Sequence, residues 1–330
     1  MKEVKRSGRP TGRALGIVFL LFAATTISAG RPRPATGSLA PAPIELHRVD
    51  TNPVDTNRVR ADSLVAAALD SLVGLSGMLR VKLVADLKVL ELGPIARLFG
   101  GKRVSEPGVY PVQDSAAKRP FALITMLPFT AKTGSRVGSY LVGSWPAERR
   151  APRSPAYVNP AGFIQVTRDN QNTQVSEHFR LRDFLTHDQQ NVWPKYLVLR
   201  EPLVDKLELI IQDLKKRGVS VKHMTVMSGF RTPQYNEKGV GAGGRAADSR
   251  HQYGDAADVF VDNDGNGRMD DLNRDGRVDH RDAQVILDAA ERIERAHPTL
   301  VGGGGLYRAT RAHGPFAHID VRGSRARWGS

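Results

Sequence analysis

The chain reads as an α+β protein, because two amphipathic helical stretches are set among short alternating strands that are mostly joined as hairpins. The same pattern divides it by composition into an N-terminal leader, a linker, a β-rich region and a regular C-terminal region. Residues 14–27 are apolar and follow Lys2, Lys5, Arg6, Arg9 and Arg13, while Ser28, Ala29 and Gly30 close the run. That is the plan of a secretory signal cut near residue 30, with a retained N-terminal membrane tether through residues 14–27 as the alternative. Residues 31–60 are rich in Pro, Arg and Thr with little apolar periodicity and read as a disordered linker.

Residues 61–171 are expected to form a small β-rich unit. Its first segment, 62–75, spaces Leu64, Leu69 and Leu72 for a helix begun by Asp62 or Ser63. Strands are expected near 121–127, 139–142 and 162–168, separated by Gly, Pro and Ser clusters. No chemistry attaches to this region from its residues.

The regular region is 172–330. Residues 201–217 place Leu203, Leu207, Ile210, Ile211 and Leu214 on one helical face, and Lys215-Lys216-Arg217-Gly218 supplies a basic last turn and a stop. A strand is expected over 219–227, running into the turn Ser228-Gly-Phe-Arg231-Thr-Pro, and another over 256–261. A second helix over 281–296 turns Ile286, Ala289, Ala290 and Ile293 inward, and 302–307 with 316–321 closes the chain as a β-hairpin.

The 330-residue chain carries a formal charge of +14 and no cysteine. Disulfides and thiolate ligation are therefore excluded, and any transition-metal site must use His and Asp. The basic residues are spread along the chain without interleaved aromatics, so nucleic acid is not the expected partner despite the charge.

His251 and Asp258 are the first metal-ligand candidates, an imidazole and a carboxylate that suit zinc. Gly254 between them permits a close turn. His318 and Asp320 lie two apart on a strand and so share a face. His178 and His187 sit among aromatics and are expected to be structural.

These residues fall in three ordered blocks, Ser228-Gly-Phe-Arg231-Thr-Pro-x-Tyr-Asn236, Ser249-x-His251-x-x-Gly254-x-Ala256-x-Asp258 and Phe316-Ala-His318-Ile-Asp320-Val. Together they resemble the motifs of VanY-type zinc D-alanyl-D-alanine carboxypeptidases, relatives of lysostaphin-like enzymes and hedgehog domains. The resemblance covers Ser176 to the C-terminus. It implies a hedgehog/D-Ala-D-Ala-peptidase-like zinc domain with a small antiparallel sheet and flanking helices. His251, Asp258 and His318 would hold Zn²⁺, and Arg231 and Ser249 would bind substrate. Zinc-activated water would cut a peptide bond next to a D-amino acid in peptidoglycan stem or crosslink peptides, by a monomer outside the bacterial cytoplasm.

In that family an Asp or Glu commonly stands three residues before the last histidine ligand, where this chain has Pro315. Asp320 is then the expected base and His313 the expected transition-state stabiliser. A non-catalytic zinc-containing cell-wall module that lost its base is the alternative reading.

Residues 262–282 hold two overlapping calcium-loop patterns. One runs Asp262, Asp264, Asn266, Gly267, Asp270, Asn273, and the other runs Asp271, Asn273, Asp275, Gly276, Asp279, Asp282 and is similar to dockerin loops. A structural Ca²⁺ clip bracing the Asp258 strand is expected there. A calcium-dependent adhesion module would explain the loop but not the three motif blocks.

Overall fold

In the computed structural model the helix expected over 201–217 runs Glu201–Lys216 (α1), opened by Pro202 in its first turn and closed by Gly218 at φ +80°. The structure describes residues 70–85, 99, 106–112, 119–241 and 244–329. The signal or tether, the linker and most of the expected 62–75 helix lie outside them. No helix among the described residues is long and apolar enough to cross a membrane.

The strands of the N-terminal part are β1 Val81–Val84, β2 Gly108–Pro111, β3 Ala122–Thr125, β4 Leu127–Pro128, β5 Arg136–Val137, β6 Tyr140–Leu141 and β7 Gly162–Val166. β8 Lys195–Leu197 precedes α1; β9 Met224–Ser228 and α2 Pro233–Glu237 follow it. Then come β10 Ala256–Val261, α3 His280–Ala296, β11 Gly303–Tyr307, β12 Phe316–Asp320 and β13 Ala326–Trp328. The last strand was not anticipated, and neither was α2. β9 starts later than expected, because Val219 and Val221 lie in the irregular segment between α1 and the strand.

Five strands form the sheet that positions the site, in the order β13-β11-β12-β10-β9. β10 runs antiparallel to β9 and β12, β11 and β12 form the expected hairpin, and β13 adds in parallel at the edge. Register places Ser228, Asp258, His318, Gly305 and Trp328 in one row across all five strands. α3 packs on β11 and β12, and α1 packs on α3. The mixed α+β class is thus observed. Smaller sheets β1-β3-β2 and β4-β7-β8 and the hairpin β5-β6 complete it.

One hydrophobic core runs from Leu79 to Val321 and crosses the expected boundary at 171/172. Phe129, Trp145 and Phe163 cluster with centroids 5.4–5.8 Å apart, and Trp145 donates its Nε1–H to the Gln252 carbonyl at 2.8 Å. The region without assigned chemistry therefore grips the turn that carries His251. All described residues fall within one compact unit, Pro53–Ser330.

α1 was expected to bury one face, yet Asp205, Lys206 and Glu208 are buried as well. Each has a partner that offsets the cost of burying charge. Asp205 accepts from the amides of Leu75 and Ser76, Glu208 accepts from His178, and Lys206 pairs with Glu294 at 2.7 Å. Segments 75–76 and 176–178 thereby cover the helix.

Candidate metal centre

The 3-10 turn Arg250–Tyr253 ends at Gly254, whose φ of +66° is the left-handed conformation that glycine adopts without strain. A Cβ there would also run into the backbone of Val198. This turn swings the His251 imidazole over the row of cross-strand partners, where Asp258 and His318 already face each other.

His251 Nε2, His318 Nδ1 and Asp258 Oδ1 form a triangle with edges of 2.9 to 3.2 Å. All three residues are buried. Ligand atoms of a tetrahedral zinc site at ~2.0–2.1 Å from the ion are about 3.3 Å apart, so the triangle is close in size to, and slightly smaller than, one face of such a tetrahedron. The outer hydrogen bonds fix the tautomers to match. Gly229 O can only accept, so His251 Nδ1 carries the proton at 2.7 Å and Nε2 turns its lone pair inward. The Asp320 carboxylate accepts from His318 Nε2 at 3.2 Å, which leaves His318 Nδ1 to face the same point. A buried His251/Asp258/His318 group that can hold a metal ion is therefore present.

Electrostatics favour a positive charge inside the triangle. Burial alone would raise the Asp258 carboxyl, but His251 and His318 hold it well below the usual carboxylate range. Burial pushes the His251 imidazole down to about 4, so it stays neutral and ready to ligate near neutral pH. Burial also opposes charge on His318, but Asp258 and Asp320 outweigh it and raise that imidazole.

Asp320 sits behind His318, away from the cavity. It is fully buried and accepts from the amide of Gly303 at 2.7 Å and from the Arg322 guanidinium. Burial would raise this carboxyl, but His318 and Arg322 hold it far below the ordinary carboxylate range. So engaged and turned from the cavity, the carboxylate expected as the base is placed to orient the His318 imidazole.

Arg231 faces the site, though its first duty is inside the protein. Nη2 bonds Asp258 Oδ2 at 2.5 Å and Nε bonds Ser228 Oγ at 2.8 Å, so the guanidinium holds a ligand carboxylate in a single-oxygen pose. A cavity of about 720 Å³ opens over the triangle and is lined by Arg231, Ser249, Tyr307 and His313 besides the ligands. A separate cavity of about 390 Å³ beside Lys82 and Glu201 contains none of the three ligands. His313 Nδ1 lies 2.8 Å from Gly314 O and must donate to it, which leaves Nε2 unprotonated in the neutral ring.

Several residues of the site were not anticipated. Trp328 lies tilted against His318 with centroids 5.1 Å apart and donates to the Tyr307 hydroxyl at 3.0 Å. Arg250, inside the motif, pairs with Asp255, and Arg322 with Asp320. The signal for Arg322 and Trp328 was the run Arg322–Trp328 just beyond the last ligand strand, which is basic and ends in an aromatic.

Of the calcium candidates, Asp262, Asp264 and Asp270 bring carboxylate oxygens within 4.8 Å of one another. The two loops repeat one geometry. Asp262 accepts from Asn266 and Gly267 amides, and nine residues on Asp271 accepts from Asp275 and Gly276, with Asn266, Asn273 and Asp275 closing the turns. Asp279 and Asp282 are used differently from what the loop pattern suggested. Asp279 is the N-cap of α3 and Asp282 completes its capping box while accepting from Leu272 and Asn273 amides.

Comparison of the chain with known protein-family models, curated proteins and solved structures finds no match.

Proposed function

We propose that this protein is an extracytoplasmic zinc peptidase that hydrolyses a bond beside a D-amino acid in peptidoglycan. The observation that carries the reading is the donor triangle whose tautomers are fixed from outside and whose open side faces a cavity. Two imidazoles and one carboxylate suit zinc, and three protein ligands leave a position for chemistry. When bound, zinc supplies Lewis acidity and lowers the pKa of a coordinated water toward neutrality. His313 offers Nε2 as proton acceptor at the cavity wall, and Arg231 lines the same cavity, where it can meet a substrate oxygen. The substrate class rests on the resemblance of the three motif blocks.

The test is to incubate the zinc-loaded full-length protein with peptidoglycan, with and without a chelator, and to analyse the released muropeptides. Zinc-dependent products that vanish in His251→Ala support the peptidase. A second reading, a wall-binding module without hydrolysis, is favoured by one observation. The carboxylates lining the cavity, Asp248 and Asp258, are both ion-paired. Unchanged muropeptides with retained zinc and wall binding select that reading.

The loop at Asp262, Asp264 and Asp270 is proposed to take calcium, bracing β10. Saturating calcium at 100 times its Kd is then expected to stabilise by about 2.7 kcal/mol, and Asp262→Asn to remove the gain, as read by thermal unfolding.

A further inference from the structure

Lys206 is a fully buried ammonium on α1, and the peptidase reading gives it no task. Its Nζ donates to Glu294 of α3 at 2.7 Å and to the main-chain carbonyl of Asp320 at 2.8 Å. Glu294 accepts in turn from the amide of Gly302 at 3.2 Å and from Arg327 Nη2 at 2.5 Å. Two helices, the entry to β11, the end of β12 and the edge strand β13 therefore meet at one ion pair. Stability alone does not call for it, because apolar side chains of like volume pack about as well as a buried ion pair.

Asp320 is the residue whose place depends on this junction. β11 pairs with β12 from Tyr307 opposite Phe316 to Gly304 opposite Ile319, so Asp320 lies one residue past the end of that register. There the Lys206 ammonium takes its carbonyl, and a Cβ on Gly302 would collide with the same oxygen. The Asp320 carboxylate meanwhile accepts from His318 Nε2 at 3.2 Å. That bond is already at the long end of the normal range, so a small shift of the Asp320 main chain would break it and free the ring.

We infer that Lys206 is a positioning residue of the metal centre, holding the Asp320 main chain so that its carboxylate fixes the His318 imidazole toward the triangle. This rests on the metal reading above and not on hydrolysis.

The full-length protein is titrated with Zn²⁺ against a chelator and with Co²⁺ in the visible range, where absorption reports ligand geometry. Lys206→Met should weaken Zn²⁺ binding about 10-fold and change the Co²⁺ spectrum. Glu294→Gln breaks the ion pair but leaves Lys206 on the Asp320 carbonyl. It should lower the urea midpoint as well, yet change Zn²⁺ affinity less than about threefold. A merely structural Lys206 would tie affinity to stability in both variants, and that outcome overturns the proposal. Coupling supplies a second arm. In an Asp320→Asn background Lys206→Met should cost little further affinity, whereas Trp145→Phe, which touches the His251 turn instead, should cost the same in either background. Full additivity of Lys206→Met with Asp320→Asn rejects the route through Asp320. If Lys206→Met does not fold, the double variant with Glu294→Gln takes its place, since it leaves no buried carboxylate without its lysine. If wild type takes up neither ion, the metal reading falls and the ring-proton resonances of His318 decide. Broadening in Lys206→Met but not in Glu294→Gln keeps the positioning role, and unchanged lines end it.

Discussion

Asp258 and Asp320 are carboxylates on one face of the sheet, separated by the His318 ring, and their surroundings give them opposite duties. Asp258 turns one oxygen to the triangle and the other to Arg231; Asp320 spends both on His318, Arg322 and the Gly303 amide. Asp320→Asn keeps the shape and removes the charge that Arg322 needs. If Asp320 orients His318, zinc affinity should fall about 10- to 100-fold in chelator competition, while turnover at saturating zinc falls much less. A proton-accepting Asp320 would give the reverse, intact affinity and lost turnover. The spacing of His318 and Asp320 put both on one face from sequence alone. It did not reveal that Asp320 lies on the far side of the ring from the cavity, since that depends on Arg322 and on a glycine in the neighbouring strand.

That neighbouring strand shows what a run of glycines does in β11. A Cβ on Gly303 would run into the Asp320 carboxylate, and one on Gly305 into the Trp328 indole; on the opposite face a Cβ on Gly304 would strike Leu287 of α3. The strand is bare so that ligand-supporting groups can lie across it on one side and a helix on the other. Gly303→Ala is expected to cost about 1–3 kcal/mol of stability in denaturant titration and to weaken zinc binding along with it. Helix α3 is held to its surroundings by ion pairs, Arg292 to Asp213 of α1 and Glu291 to Arg325 and Arg327. Burial would raise the Asp213 carboxyl, but Arg292 and Arg217 hold it below its ordinary value; Arg327 and Arg325 do the same for Glu291. Since the folded pKa values lie below the unfolded ones near 4, these pairs stabilise fully above about pH 4 and lose their contribution as pH falls through the folded values. Asp213→Asn should therefore lose about 1 kcal/mol or less in urea midpoints at pH 7, and the gap from wild type should close toward pH 2. The helices themselves were legible, because α1 and α3 carry strong apolar periods and clear termini. The three-residue β13 carries no such period; it forms because β11 offers an edge and Trp328 finds Gly305 beneath it.

Across the whole molecule, the region that seemed separable from the half with the candidate metal centre shares its core. The composition shift near residue 171 is real in sequence, but Trp145, Tyr140 and Phe163 are fully buried and join residues of α1 and β10 in one cluster. Short strands without a long-range period cannot announce which distant residues they will meet. A fragment of residues 172–330 should therefore lack fixed packing, shown by helical far-ultraviolet dichroism with a weak near-ultraviolet signal, whereas the full chain retains both. A fragment with native near-ultraviolet dichroism and cooperative unfolding would show that the two parts separate after all.

The guanidinium of Arg231 touches Asp258 and lines the cavity, so a metal held by the triangle and an anion held in the cavity would be a thermodynamically linked pair. If the anion strengthens zinc binding by some factor, zinc must strengthen anion binding by the same factor, whichever arrives first. With favourable coupling, an empty cavity would leave the ion more readily exchanged and a filled one would retain it, so that retention of a metal would belong to the loaded complex as much as to the three ligands.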